Sequence, residues 1–209
     1  MNVLITSISA GGVDEVIVSF SLHSGEKAQM QRFLLSTAAY TALALSVGES
    51  SQSEFDAVER EANIYSAYKR ALYLLSFGSS SRRALHRKLV SKGHAPEFSR
   101  MALDRLVDNR LICENDAALR ETEKCLEKLW GESRIRAHLC KKGYSEEAIA
   151  SAFFALEDAD VDFDANCVKL LEKKYSPVPT DKKELQKLIA ALMRYGYSLS
   201  QIKQAISGS

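Results

Sequence analysis

Five basic side chains, Arg82, Arg83, Arg87, Lys88 and Lys92, are spaced for a single helix around two leucines, Leu85 and Leu89. At roughly 100° per residue the leucines define a buried side, and Arg83 and Arg87 lie nearly opposite, one turn apart in solvent. Like charges at i,i+4 cost a helix about 0.2–0.5 kcal/mol, so local stability does not account for them. An anionic partner does, whether phosphate or an acidic protein surface. The plainer use of such charges is a solvated helix face. Arg134, Arg136, Lys141 and Lys142 surround a second such helix, and Lys182, Lys183, Lys187 and Arg194 a third. Their offsets differ. Arg83 aligns with Ser133 and Gln186, and Arg87 with Ala137 and Ala190, so a strict one-residue-per-repeat code is not supported.

No catalytic constellation accompanies these charges. The chain has no phosphate-loop sequence, no Gly-x-Ser-x-Gly and no His-Glu-x-x-His. Gly11-Gly12 reads as a turn, because no Lys-Ser/Thr and helix start follow it. Cys113, Cys125, Cys140 and Cys167 are widely spaced, with no Cys-x-x-Cys pair and no zinc-ligand spacing. Reduced cysteines on or beneath helices are expected. His138 and Cys140, two apart, point in different directions on a helix. Asp158, Asp160, Asp162 and Asp164 alternate as in a calcium loop but lack its glycine and terminal glutamate, and read as an acidic linker. Neither a metal nor a cofactor is expected. Trp130, beside arginines, suits either base stacking or packing between repeats, and burial tendency favours packing.

The whole chain carries a net charge of +1, which conceals an uneven distribution. Residues 1–64 hold three basic and eight acidic side chains, residues 65–112 ten and three, residues 113–158 seven and ten, and residues 159–209 eight and six. One strongly basic block therefore contains the first basic helix, an asymmetry that points to an anionic partner. The composition, 46% hydrophobic and 26% charged, is that of a globular protein with a core. No apolar run approaches the roughly 20 residues that span a bilayer. The opening MNVLITSISAGG lacks the basic start and apolar stretch of a secretion signal, so a cytoplasmic location without membrane contact is expected.

The elements that must position the basic residues follow from a motif present three times. It reads Leu85-x-x-x-Leu89-x-x-x-Gly93-His94, Ile135-x-x-x-Leu139-x-x-x-Gly143-Tyr144 and Leu188-x-x-x-Leu192-x-x-x-Gly196-Tyr197, with glycines 50 and 53 residues apart. Such a period marks one supersecondary unit stacked on itself. Each glycine ends a helix in the left-handed conformation, and the following Tyr144 or Tyr197 supplies the apolar contact after the cap. A further helix follows each glycine, over about 96–108 in the first copy, with Ser145 and Ser198 as caps in the others. Ala102, Ala152 and Ala205 lie nine residues past the glycines, and Leu103, Phe153 and Ile206 ten past, as paired packing positions. Upstream, Tyr65, Tyr68, Leu72 and Leu75 form a helical stripe. Before it, alternation predicts strands over 2–9 and 14–22, with a third near 29–35. Ser36 caps a short helix through Leu45, ended by Gly48, and Ser53 caps the next. The expected fold is mainly α: three tandem three-helix repeats in an elongated, curved array, preceded by a small N-terminal β-hairpin/α segment. Its limits are residues 1–60 for that segment and 61–112, 113–160 and 161–209 for the repeats.

The stretch Ala71-Leu-Tyr-Leu-Leu-Ser-Phe-Gly-Ser-Ser-Ser-Arg-Arg-Ala-Leu-His-Arg-Lys-Leu-Val-Ser-Lys-Gly93 closely resembles the first repeat of the RecX family, and Arg134-Ile-Arg-Ala-His-Leu-Cys-Lys-Lys-Gly-Tyr-Ser-Glu-Glu-Ala-Ile149 its second. The resemblance covers about residues 60 to 207. It implies a non-enzymatic, monomeric regulator of recombination and DNA repair. Such a protein binds along the filament of the RecA recombinase on DNA, lodges in its groove, and lowers its ATPase and strand exchange. The partner-binding residues it implies are Arg82, Arg83, Arg87, Lys88, Lys92, Arg134, Arg136, Lys141, Lys142 and Arg194, with the first repeat's set matching best. The family's second repeat is usually richer in Arg and Lys than residues 113–158 here, which puts DNA contact by that repeat in question. A basic helical DNA-binding protein acting without a recombinase is the second reading, and a helical-repeat adaptor for an unrelated protein the third.

Overall fold

The computed structural model describes residues 2–24 and 27–208. Four strands and ten helices occur among them: β1 (Asn2–Ala10), β2 (Glu15–Ser24), β3 (Lys27–Ser36), α1 (Thr37–Leu43), β4 (Gly48–Ser50), α2 (Gln52–Leu75), α3 (Arg82–Ser91), α4 (Pro96–Asp108), α5 (Glu114–Leu126), α6 (Glu132–Lys142), α7 (Glu146–Asp158), α8 (Phe163–Tyr175), α9 (Lys182–Arg194) and α10 (Leu199–Ser207). The chain divides into two compact units. One comprises residues 1–78 and 85–112, the other residues 79–84 and 113–209.

In the first unit the three expected strands and the short β4 form a four-stranded antiparallel sheet in the order β3-β2-β1-β4. Strand period puts Val18, Phe20 and Leu22 of β2 on one face, with Val3 and Ile5 of β1 beside them. A bulge between Ile5 and Ser7 shifts the register, so that Ile8 rather than Ser7 lies opposite Val18. Phe55 and Val58 of α2 close over this face, and the rings of Phe20, Phe33 and Phe55 meet edge to face at 5.2–5.9 Å. Beyond the sheet, α2 runs on through residue 60 and packs Ile64 and Ala67 against Ala102 of α4. Ala71 joins Leu85, Leu89, Leu103 and Leu106.

Several expectations need correction here. Gly48 does not end a helix. It opens β4, too short for a pattern to reveal, while α1 ends at Ala44 in the left-handed conformation. Helix α2 is capped by Ser51, not Ser53, because only Ser51 has Glu54 three residues on to complete a reciprocal capping box. The buried row of α2 is Ile64, Ala67 and Ala71. Leu72 is exposed and Tyr65 and Tyr68 sit at the rim, because small alanines let α4 approach closely and bulky tyrosines do not.

Glu15, at the start of β2, ties the hairpin to α2. Its carboxylate accepts hydrogen bonds from Lys69 Nζ at 2.6 Å, Tyr65 Oη at 3.2 Å and the Gly12 amide at 3.1 Å. The Lys69 bond, against the opposing effect of desolvation, holds this carboxyl below its ordinary value. A carboxyl depressed in the folded state contributes stability that is present above its unfolded pKa and lost as pH falls through the folded one. Glu15→Gln is therefore expected to lower stability at neutral pH while leaving it little changed below the folded pKa, which flattens the acid limb of the stability–pH curve, as followed by urea denaturation from pH 3 to 8.

The second unit holds two helix triplets. Ile135 and Leu139 of α6 pack with Ala148, Ile149, Ala152, Phe153 and Leu156 of α7 and with Ala117, Ala118 and Cys125 of α5. Leu188 and Leu192 of α9 pack with Ile202 and Ala205 of α10 and with Cys167, Leu170 and Leu171 of α8. Of the paired positions, Ala152, Phe153 and Ala205 are thus core residues, and Ile206 packs partly buried against the last cluster. Ser145 Oγ accepts from the Ala148 amide and Ser198 forms a capping box with Gln201, as their spacing predicts. Ser145→Ala is expected to cost about 1 kcal/mol, measured by thermal unfolding. The aspartate run spans the connection between α7 and α8 and also caps: Asp158 ends α7, and Asp162 caps α8 by accepting from the amides of Asp164 and Ala165.

Candidate partner-binding residues

Helix α3 is short and very basic, and Leu85 and Leu89 are fully buried. That anchors the opposite side outward: Arg83, Arg87, Lys88 and Lys92 are exposed and Arg82 is half-buried. The helix begins in a cap made by Ser81, whose Oγ accepts from the Ala84 amide and donates to the Lys142 carbonyl at 2.7 Å. Gly143, with φ +85°, lies under the aliphatic stem of Arg83 in the second unit; a Cβ there would meet Arg83 Cβ and Cδ at 3.1 Å. Arg83 thus rests its stem on Gly143 while the residue stays exposed.

The same joint recurs between α6 and α9. Ser133 Oγ donates to the Gly196 carbonyl at 2.8 Å, and the Gly131 amide donates to the Tyr195 carbonyl at 2.8 Å. The two glycines touch backbone to backbone: a Cβ on Gly131 would stand 2.4 Å from Gly196 O, and one on Gly196 would stand 2.8 Å from Gly131 O. The repeat glycines are therefore more than helix terminators. Tyr144 and Tyr197, which follow two of them, are buried, and their hydroxyls donate to the carbonyls of Ala117 and Leu129. Burial above all pushes the Tyr144 phenol up to about 12.

Several basic residues of α6 are engaged by neighbouring side chains. The Arg134 guanidinium lies 4.0 Å over the Trp130 ring and 5.0 Å from Tyr195, and donates to the Arg194 carbonyl. Lys128 Nζ stands 5.4 Å from Trp130, and Lys174 Nζ reaches the Tyr195 hydroxyl. Trp130 is half-buried, as a packing residue should be, yet it also holds Arg134. Arg136 pairs with Glu132 at 2.7 Å and lies over Phe153. Lys142 Nζ pairs with Glu121 at 2.6 Å. Lys141 and Arg194 are exposed. Sequence reasoning did not anticipate Lys128, Lys174 and Tyr195 as members of this cation–aromatic cluster: Lys128 comes from the α5–α6 loop beside Trp130, whereas Lys174 of α8 and Tyr195 at the end of α9 are distant in the chain.

The RecX first three-helix domain model matches residues 67–106, and the RecX third three-helix domain model residues 160–206. "Regulatory protein RecX" of Xanthomonas axonopodis pv. citri is 31% identical over 138 residues, covering 66% of this chain and 83% of that protein. The chain belongs to the RecX family. "Regulatory protein RecX" of Halorhodospira halophila is 29% identical over 140 residues, 66% of this chain and 85% of that protein. In fold, a crystal structure of regulatory protein RecX matches with a TM-score of 0.75 at 21% identity, covering 99% of this chain and all of that one. RecX from Lactobacillus salivarius matches with a TM-score of 0.59 at 23% identity, over 70% of this chain and 96% of that one. The mainly α, three-helix-domain architecture with an N-terminal antiparallel strand segment is thus that of the RecX family. No helix among the described residues is long and apolar enough to cross a membrane.

Proposed function

We propose that this chain is a regulator of the RecA recombinase filament in recombination and DNA repair, acting in the cytoplasm as a non-enzymatic monomer that lowers the filament's ATPase and strand exchange. One observation carries the reading in this chain: Arg83 and Arg87 project together from α3 while the opposite side of the helix is locked into the core. Two guanidiniums held outward by a rigid helix suit an acidic protein surface or DNA phosphates. The names of the relatives support the regulatory role. In this reading the N-terminal segment, residues 1–60, precedes repeats spanning 61–112, 113–160 and 161–209, and Arg82, Lys88, Lys92, Arg134, Arg136, Lys141, Lys142 and Arg194 extend the contact begun by Arg83 and Arg87.

The test is the ATPase rate of RecA on single-stranded DNA as this protein is titrated below stoichiometry. A steep fall that does not track loss of RecA from the DNA supports filament modulation. An unchanged rate at excess of folded protein refutes it.

The cation–aromatic cluster at Trp130, Arg134 and Tyr195 favours one second reading, in which DNA alone suffices as the partner. Bases stack on aromatic rings flanked by cations, and such binding weakens steeply with salt. Fluorescence anisotropy of labelled single-stranded DNA without recombinase separates the two.

A further inference from the structure

Behind the α5–α6 packing, three side chains of different chemistry converge. Glu121 and Cys125 are one turn apart on α5 and so lie on one face of the helix. His138 reaches them from α6, with its Nε2 2.9 Å from Glu121 Oε1. The carboxylate oxygen, the thiol sulfur and the ring nitrogen all lie within 4.8 Å of one another. Trp130 meets the His138 ring edge to face at 5.2 Å and restricts its rotation. Cys125 is fully buried, whereas the side chains of Glu121 and His138 retain 13% and 26% exposure, leaving a way in from solvent on their side.

We propose that Glu121, Cys125 and His138 form a binding site for a borderline-soft divalent cation, zinc the best fit, with the fourth position left to water. One sulfur, one nitrogen and one oxygen is a donor set that zinc accepts. Zinc–ligand distances of about 2.0–2.3 Å place tetrahedral ligands about 3.2–3.8 Å apart, so adjustment of side-chain rotamers by about 1 Å closes the site. Two anionic ligands and one neutral ligand balance the ion's charge, which suits a largely desolvated position.

Without the ion, the site is held in another state. Lys142 Nζ bonds the same Glu121 Oε1 that His138 approaches and supplies the positive charge. Burial pushes the Cys125 thiol up, which keeps it protonated and inert. On loading, the Cys125 S–H bond breaks, the sulfur–metal bond forms, one proton leaves to solvent, and Lys142 gives up Glu121. Lys142 is thus a resident competitor of the metal. This inference does not depend on any recombinase partner.

Cobalt(II) is the probe. Titrated into the full chain under a non-thiol reductant, it is expected to produce a near-ultraviolet thiolate-to-cobalt charge-transfer band and the intense visible bands of a four-coordinate site, both bleached by zinc. Cys125→Ser should abolish the charge-transfer band, while the double variant Cys113→Ser/Cys140→Ser, which removes both exposed cysteines, should retain it. Lys142→Met should bind cobalt about tenfold more tightly. Glu121→Gln and His138→Gln keep the thiol, and each should weaken binding by about tenfold or more with unchanged circular dichroism, which covers the case of a misfolded Cys125→Ser. Four results would overturn the site: no charge-transfer band; a band that survives Cys125→Ser and vanishes with the exposed cysteines; unchanged affinity in folded Glu121 and His138 variants; or unchanged or weaker affinity in Lys142→Met.

Discussion

Reversing the charges of α3 with Arg83→Glu/Arg87→Glu is expected to raise the concentration needed for half-inhibition of the RecA ATPase by at least about tenfold, equivalent to about 1.4 kcal/mol of lost binding. The change replaces two outward cations with two anions, so attraction to an acidic surface or phosphate becomes repulsion. Structure should survive it. Both side chains are exposed, and removing like charges one turn apart relieves rather than creates local repulsion only if the replacements do not repel equally; glutamates at the same spacing do, so helix stability should change little. Arg83 has one structural duty, its stem across Gly143, and Arg87→Glu alone is the cleaner single variant because its side chain stands in solvent. Circular dichroism and urea midpoint check the fold, and the ATPase titration reads the effect. Full inhibition by a folded double variant would remove these arginines from the contact surface. Full inhibition lost together with the fold would instead be seen in the dichroism.

The second large effect concerns stability at the α6–α9 joint. Gly93, Gly131 and Gly196 separate two costs that usually coincide. Gly93 has φ +92° and open space around its missing side chain, so Gly93→Ala incurs only the left-handed backbone cost, about 1–2 kcal/mol. Gly131 has an ordinary φ of −77°, so Gly131→Ala has no such cost, but its Cβ would stand 2.4 Å from the carbonyl oxygen of Gly196. Gly196 combines both: φ +97°, and a Cβ 2.6 Å from the Arg134 amide nitrogen. The obstructing atoms are largely backbone and cannot swing away. Gly131→Ala and Gly196→Ala are therefore each expected to cost about 3 kcal/mol or more. Urea denaturation of the three variants, compared at equal m-value, should rank Gly93→Ala mildest. Equal costs at Gly93 and Gly196 would show that the joint yields without penalty.

The comparison of those glycines also marks how far local sequence reaches. Gly93, Gly143 and Gly196 occupy the same place in one motif and all take positive φ, as a helix terminator should. Capping and periodicity depend on residues within a few positions of each other, and these features were legible: α4 spans 96–108 as its proline and spacing predict, Ser145 and Ser198 cap, and Leu85, Leu89, Ile135, Leu139, Leu188 and Leu192 are all buried. The outward placement of Arg83 and Arg87 followed from the same periodicity. What a glycine touches, by contrast, is set by backbone roughly sixty residues away, and nothing in the spacing around Gly196 points to Gly131.

The same limit explains the rest. Ser51 displaced Ser53 as a cap within reach of local reasoning, through the capping box with Glu54, but the burial of Ala67 and Ala71 in place of Leu72 depended on α4 pressing against α2. Arg134 reads as a free cation in sequence and becomes a side chain stacked on Trp130 and Tyr195 only once α9 is in place. Cys125 and His138 carry no metal-ligand spacing, since they sit thirteen positions apart on two helices, yet helix packing brings them to Glu121. By itself the sequence determined the repeat, the caps and glycine ends of the repeat helices, the buried rows of the repeat motif and the basic face of α3, because each is a property of neighbours along the chain. Tertiary structure alone decided the glycine joint, the engagement of Arg134 with Tyr195 and of Lys142 with Glu121, and the Glu121–Cys125–His138 cluster, because each depends on which distant surfaces the packed helices bring within a few ångströms.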